Sequence, residues 1–242
     1  MKKTSLLIIL LFSFYFSNGQ TAVKQPKLDE NAVVKDENGS VYPYAIWKKL
    51  LETGQYSAKL VARNDGVAPE FQLYRMTAEQ MEVYRKRRAE MLAKLPQPRS
   101  SEAFTDGQKF KFEKMKDLSG NKYDFKTDTG KVVVFNFWFI NCPPCKKEIP
   151  ELNDLVEKYK ENPNVKFIAI ALDDSYSLKN FLKLSPFNYN IVPDGRYFSD
   201  KYDIKGYPTH VVVGKDGTVK FSTMGLASNT VYWVDKVIKE QL

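Results

Sequence analysis

The pattern of apolar and polar positions changes texture along the chain. Ser5 to Phe16 is an apolar stretch of 12 residues behind the basic start Met1-Lys2-Lys3, and small residues follow at Ser17 and Gly19. That is the layout of an export signal over residues 1–19, cut before Gln20. The stretch falls well short of the roughly 20 apolar residues that a membrane-spanning helix needs. Nothing from Gln20 onward is apolar enough to span a bilayer, and no Cys near the cut could carry a lipid anchor. Residues 20 to about 38 are polar and aperiodic and read as a leader. Tyr44 to Glu52 has the spacing of a short helix, with Gly54 placed to end it. Tyr56 to Arg63 and Phe71 to Met76 alternate as strands around an Asn64-Asp65-Gly66 turn. Thr77 and Gln80 form a capping box at the head of a helix that runs to about Leu95 and stops before Pro96. Gln97 to Ser101 is a stiff polar linker. The expected boundary lies there, with an N-terminal α/β segment plus linker over residues 20–100 and a second domain over 101–242.

The second half alternates differently. Phe110 to Met115 and Lys122 to Phe125 predict a hairpin around Ser119-Gly120. Lys131 to Phe139 is a run of valines and aromatics, the mark of a strand buried on both faces. A helix follows from about Pro144 to Tyr159, then a buried strand over Val165 to Leu172 and a helix over Ser177 to Leu184. Arg196 to Tyr202 reads as a short helix. Thr209 to Val213 and Val219 to Met224 flank a Lys215-Asp216-Gly217 turn, and Asn229 to Gln241 closes the chain as a helix. Strand, helix, strand, helix, hairpin and helix is an α/β order with a mixed sheet.

Composition narrows the class. The chain has 242 residues, 43% hydrophobic and 27% charged, which excludes a disordered or fibrous chain. Two Cys allow one disulfide and exclude both a multi-disulfide scaffold and a four-Cys zinc site. The formal charge of +8 is mild, and an exported basic protein makes nucleic acid a poor partner. Export also places the chain where disulfides can form.

Both cysteines sit in Cys142-Pro143-Pro144-Cys145, between a buried strand and a helix. Three uses compete. Zinc needs four ligands, and beyond the two Cys the chain offers one His and carboxylates. A structural staple over so short a loop removes little chain entropy, about 2 kcal/mol against nearly 5 for a 100-residue loop. A redox dithiol fits best. At a helix start, free backbone N–H groups and the positive dipole end stabilise the thiolate of Cys142, and the thiolate is the attacking species in disulfide exchange. Pro143 and Pro144 stiffen the turn, and Cys145, one turn in, is placed to resolve a mixed disulfide on Cys142.

Glu148 lies on the same helix. At about 100° per residue, it falls near Leu152, Leu155 and Tyr159 on the apolar stripe, while Lys146 and Lys147 face away. It is either a carboxylate at the stripe's edge reaching solvent, or a partly buried Glu beside the dithiol. Desolvation in the second case favours the protonated form and suits the group to move the Cys145 proton.

Phe135-Asn136-Phe137-Trp138 followed by Cys142-Pro143-Pro144-Cys145-Lys146-Lys147-Glu148 resembles the active-site segment of thioredoxin-fold proteins, and in particular the TlpA/ResA-type exported thiol-disulfide oxidoreductases. Pro150 stands where that family has its helix proline, five residues after the second cysteine. Gly206-Tyr207-Pro208-Thr209 matches the family's cis-proline segment, and Asp216-Gly217 its terminal hairpin turn. The resemblance spans about residues 104 to 242. It implies an α/β thioredoxin fold, with a mixed central sheet flanked by helices behind the small N-terminal α/β extension. It also implies a cofactor-free, metal-free enzyme whose redox-active disulfide is Cys142–Cys145. Cys142, Cys145 and Glu148 are its catalytic residues, and Tyr207, Pro208, Thr209 and Trp138 its substrate-binding residues, with a substrate chain pairing along Tyr207 and Thr209. Family members reduce disulfides of envelope proteins, apocytochrome c among them, in cytochrome c biogenesis. A periplasmic reductase then needs an electron donor, expected to be a membrane protein. Asn136 stands where cytoplasmic thioredoxins carry a buried Asp, so Glu148 takes over the proton-handling role. Asn141 stands where many relatives have Trp.

Two other uses stay open at this level: an oxidase or isomerase working the same dithiol in reverse, and a partner-binding module with a vestigial or sensing dithiol. A peroxidase is disfavoured, because Phe135 and Phe139 occupy the positions of the Pro and Thr that peroxiredoxins place before their cysteine. His210 follows Thr209, its side chain turned the opposite way, as a structural residue or a local modulator of the site. Arg85 to Arg88 reads as a solvated helix face or a contact for an anionic membrane or acidic partner. Tyr42, Tyr44, Trp47, Tyr56, Phe71, Tyr74 and Tyr84 are the candidate core of the N-terminal segment, which is otherwise a candidate docking module.

Overall fold

The computed structural model describes residues 27–62, 69–126 and 130–242. The expected signal over residues 1–19 and the expected turn at 64–66 lie outside them. The chain divides into two compact units, one ending at Met76 and one running from Thr77 to Leu242.

The first unit is built from β1 (Val33–Lys35), β2 (Val41–Tyr42), α1 (Tyr44–Glu52), β3 (Tyr56–Ala62) and β4 (Glu70–Arg75). The sheet order is β2-β1-β4-β3, with β1 parallel to β4 and the other pairs antiparallel. Helix α1 has the predicted bounds. Gly54 ends it at φ +66, a left-handed conformation that a residue with a Cβ resists, and its N–H closes on Leu51 O. Strand β1 lies inside the stretch read as a leader. It is too short to show an alternation, and Asp36 Oδ1 fixes the turn after it by accepting the Asn38 and Ser40 N–H groups. The core is smaller and less aromatic than expected. Val34, Trp47, Phe71 and Leu73 are buried with Tyr42 and Tyr56 against them, whereas Tyr44 is exposed and Tyr84 is an exposed residue of the second unit.

The second unit contains α2 (Ala78–Ala93), the short ribbon β5 (Met115–Lys116) and β6 (Lys122–Tyr123), then β7 (Val132–Trp138), α3 (Pro143–Tyr159), β8 (Val165–Ala171), α4 (Ser175–Leu184), β9 (Asn190–Val192), α5 (Arg196–Lys201), β10 (Thr209–Val213), β11 (Val219–Met224) and α6 (Thr230–Gln241). The main sheet runs β11-β10-β7-β8-β9. The pairs β7–β8 and β8–β9 are parallel, and β10 is antiparallel to both β7 and β11. This is the mixed sheet that the resemblance implies.

The unit boundary falls earlier in the chain than the one expected from the sequence. Thr77 and Gln80 form the capping box at the head of α2, but α2 belongs with the second unit. Arg88 pairs with Glu151 of α3, which accounts for one member of the basic run while Arg85, Lys86 and Arg87 are exposed. The supposed linker is tied down too: Pro96 O accepts from Asn229, and Arg99 O from Met224 N–H and Thr223 Oγ1. The prolines mark a helix end, and the domain continues through it. The strand expected over Phe110 to Met115 is reduced to its last residue, because Phe110 and Phe112 turn their rings onto the sheet as part of an aromatic layer. Strand β9 was not predicted, being three residues long.

Alternation sorts the sheet into two faces. Val133, Phe135, Phe137, Ile168, Ile170, Val211 and Val213 point to one side, with Phe104, Phe110 and α5 residue Phe198. Val132, Val134, Trp138, Ala169 and Val212 point to the other, under α3 and α6.

Candidate active site

Strand β7 ends at Trp138 and the chain turns into α3 through Phe139 to Cys142. Asp173 Oδ2 accepts the Ile140 N–H at 2.7 Å, and Cys142 N–H donates to Phe139 O at 3.2 Å. Cys142 is the N-cap of α3, with Pro143 and Pro144 in the first turn, where backbone N–H groups would have no helical partner. Its Sγ accepts the Cys145 N–H at 3.2 Å, and a disulfide joins the two residues. The helix end thus directs a donor and a positive dipole at the Cys142 sulfur, which favours its thiolate once the bond is reduced. Both cysteines are buried, at 2% and 1% exposure, beside exposed Asn141. Pro150 lies inside α3 as expected.

The segment before β10 packs on this turn. The Tyr207–Pro208 peptide is cis. The Tyr207 ring meets Phe139 edge-on at 5.4 Å. A Cβ on Gly206 would lie 2.8 Å from Met224 Sδ, so a side chain there would displace the methionine. Pro208 is buried and its O accepts the Gly225 N–H at 2.8 Å. Among the described residues, the Tyr207 N–H and C=O have no hydrogen-bond partner, and its ring is half-buried.

Two of the four expected substrate-binding residues are fully buried. Thr209 has no exposed surface, donates its Oγ1 hydrogen to Gly206 O at 2.8 Å, and lies between β7 and β11. A strand bonded on both sides has no free edge for a third chain. Trp138 is fully buried against Phe181 and Phe187. Its ring is part of the core and faces no solvent.

Glu148 is one helical turn after Cys145 and is 5% exposed, so it does not reach solvent from the edge of the stripe. His210 Nε2 stands 2.7 Å from its Oε1, and Asn136 Nδ2 donates to the same oxygen over a long 3.5 Å. Register explains the meeting. His210 of β10 is directly opposite Asn136 of β7, so both side chains leave the same face of the sheet, the face that α3 covers. Tyr189 completes the group: burial, and after it the negative charge of Glu148, hold its phenol well above the ordinary range. Glu148 Oε2, His210 Nδ1, Asn136 Oδ1 and Tyr189 OH are buried with no hydrogen-bond partner among the described residues. The sequence reading weighed His210 without its partner and missed Tyr189 altogether. Strand alternation could orient His210, but the register that sets it opposite Asn136 is a tertiary fact. Among the described residues, no group of three or more His, Cys, Asp or Glu is arranged to hold a metal ion, and no helix is long and apolar enough to cross a membrane.

Residues 107–222 match the model of the AhpC/TSA family. The chain is 37% identical over 111 residues to the thiol-disulfide oxidoreductase ResA of Bacillus cereus, across 45% of this chain and 64% of that protein. It therefore spans a little less than two thirds of that relative's length. With the ResA of Halalkalibacterium halodurans it shares 32% identity over 130 residues, across 52% of this chain and 73% of the relative. The crystal structure of a putative thiol:disulfide interchange protein DsbE from Chlorobium tepidum matches at a TM-score of 0.52 and 23% identity, over 57% of this chain and 98% of that one. At that identity the likeness is one of fold, and the fold of the second unit is the thioredoxin fold.

Proposed function

The chain belongs to the ResA-type family of thioredoxin-like thiol-disulfide oxidoreductases, and from that premise we propose that it exchanges its Cys142–Cys145 dithiol with disulfides of partner proteins. The observation that carries the reading is the placement of the Cys142 sulfur at the N-terminus of α3, accepting the Cys145 N–H, with the buried Glu148 carboxyl one turn beyond.

In the reduced protein the Cys142 thiolate attacks a substrate disulfide. A bond forms between Cys142 and one substrate sulfur, and the other substrate sulfur leaves with the electron pair and takes up a proton. Glu148 then accepts the proton of Cys145, whose thiolate attacks Cys142. The Cys142–Cys145 bond forms, the mixed disulfide breaks, and the second substrate sulfur leaves as a thiol after protonation. Two electrons pass from the protein to the substrate. A substrate chain lies along Tyr207, whose main-chain groups have no partner among the described residues, as a short added strand next to Pro208.

The direction proposed is reductive, on disulfides of envelope proteins such as apocytochrome c. The protein works outside the cytoplasm after export, and a membrane electron donor returns the disulfide to the dithiol. A peroxidase reading gains little from the AhpC/TSA match, since Phe135 and Phe139 stand where peroxide chemistry would need Pro and Thr.

Trapping tests the proposal. Reduced Cys145→Ser, mixed with a disulfide-bonded peptide, is expected to accumulate a peptide adduct on Cys142 that mass spectrometry locates, while Cys142→Ser forms none. An adduct on neither variant would refute dithiol exchange.

A further inference from the structure

The exchange mechanism uses Glu148 and leaves its partner unassigned. We propose that His210 is the positioning residue of the resolving step. It holds Glu148 Oε1 across the β10–α3 interface, so that Oε2 is presented to the proton of Cys145. The inference rests on the dithiol exchange proposed above.

Four observations support it. His210 Nε2 and Glu148 Oε1 are 2.7 Å apart, the spacing of a strong hydrogen bond with one shared proton. The side chains are 0% and 3% exposed, so neither group has water as an alternative partner. The two ends of the bond sit on separate rigid elements, a central strand and the active-site helix, which fixes the carboxyl's direction. The second oxygen, Oε2, is buried and has no hydrogen-bond partner among the described residues, and it belongs to the residue one turn from Cys145.

The groups facing His210 are few. Helix α3 brings Glu148, β7 brings Asn136, and β11 brings Thr223, whose hydroxyl is engaged by Arg99 O. Tyr189, before β9, faces the Glu148 charge and stays protonated through the working range. Helix α6 presents Val234, Val237 and Ile238 to this side of the core. The pair His210–Glu148 therefore holds either one proton or two. With one, the imidazole donates Nε2–H to the carboxylate and the net charge is −1. With two, the pair is neutral. The resolving step moves one proton from Cys145 to Oε2, so the negative charge passes from the pair to the Cys145 sulfur. That sulfur attacks Cys142, and the electron pair leaves on the substrate sulfur. No further oxidant or reductant enters.

Removing the imidazole leaves the carboxyl with the single long bond from Asn136, and a buried carboxylate that loses a donor shifts toward its protonated form. The test separates the two chemical steps by rapid mixing of the reduced protein with a disulfide peptide between pH 5 and 9. His210→Leu is expected to slow resolution about tenfold at neutral pH and to move the acidic limb of its pH profile up by about one unit. His210→Gln, which keeps a donor but cannot titrate, is expected to recover most of the rate. In a Glu148→Gln background, His210→Leu should change the resolving rate less than about twofold, because the two residues act as one unit.

An acidic limb that stays in place in His210→Leu, or an equal loss in the Glu148→Gln background, would overturn the assignment. Wild-type protein that forms no mixed disulfide would instead bring down the exchange reading itself. If His210→Leu does not fold, the imidazole decides the matter. His210 is the only histidine, so its ring resonances need no assignment. They are expected to differ between wild type and Glu148→Gln and between the disulfide and dithiol forms. Identical resonances across all of these would reject the proposal.

Discussion

The five-stranded sheet carries two faces of opposite character. One is a layer of rings. Phe110 stacks on Phe135 at 4.9 Å, Phe104 on Phe110 at 5.7 Å, and the strands beneath contribute valine, isoleucine and phenylalanine. The other face, under α3 and α6, holds Asn136, His210 and Glu148 among its valines and alanines. Two buried tyrosines mark the contrast. Tyr202 on the ring side donates its hydroxyl hydrogen to Lys111 O at 2.8 Å, whereas the Tyr189 hydroxyl on the other side has no partner among the described residues. A buried polar group left unpaired costs about 1–3 kcal/mol. Several such groups lie together on the face that carries the dithiol. Unpaired buried groups gather next to the chemistry, whereas α5 on the ring side carries Ser199 Oγ as its unpaired buried atom among the described residues, and a functional site is where departures from good packing are expected.

The largest effect should come from the ring side. Phe135→Ala removes a fully buried ring and is expected to lower the unfolding free energy by about 3–5 kcal/mol in a denaturant titration, with the exchange rate per folded molecule close to wild type. A loss under about 1 kcal/mol would mean that the aromatic layer is not the stabilising half.

Next is Asp235 of α6, which meets Lys158 and Tyr159 of α3. Burial alone would push its carboxyl up, but hydrogen bonds from Lys158, Lys239 and Tyr159 overcome this and hold it below the usual carboxylate range. A depressed carboxyl contributes stability that is fully present above its unfolded value near about 4 and is lost as pH falls through the lower folded value. Asp235→Asn should therefore destabilise the protein at neutral pH, and the gap to wild type should close in acid. A gap independent of pH would contradict the assignment.

The same measurement on Asn136→Leu should go the other way. Its Oδ1 has no partner, and its amide makes only the 3.5 Å contact with Glu148. An apolar side chain of similar size is expected to leave stability unchanged or raise it by about 1 kcal/mol. A loss as large as that of Phe135→Ala would erase the distinction between the faces.

Thr77→Ala probes neither face. It removes the capping box of α2 and should cost about 1 kcal/mol.

Much of this was legible before the structure. Gly54 and the Thr77–Gln80 box marked helix ends because capping is local chemistry. The strand over residues 131–139 and the dithiol at a helix start followed from run length and position, whereas the helical angle turned Glu148 toward the core side and left its burial open. Pro208 was assigned as cis through the family resemblance alone. The illegible parts depend on pairing. Strands β1 and β9 are too short to show a period, and the tie between α2 and α3 rests on Arg88 and Glu151, far apart in sequence. Trp138 and Thr209 are substrate-binding residues by the resemblance, because the motif places them near the dithiol. The strands on either side of them decide that they point inward or are already bonded.

The most direct test of the account is the equilibrium reduction potential of the Cys142–Cys145 pair, measured by thiol trapping across dithiothreitol and glutathione buffers at pH 7. A value at or below about −250 mV, in the range of thioredoxin, is predicted for a protein that reduces its partners. A value near about −120 mV, that of a strong oxidant, would contradict the proposed direction and make the protein a donor of disulfides.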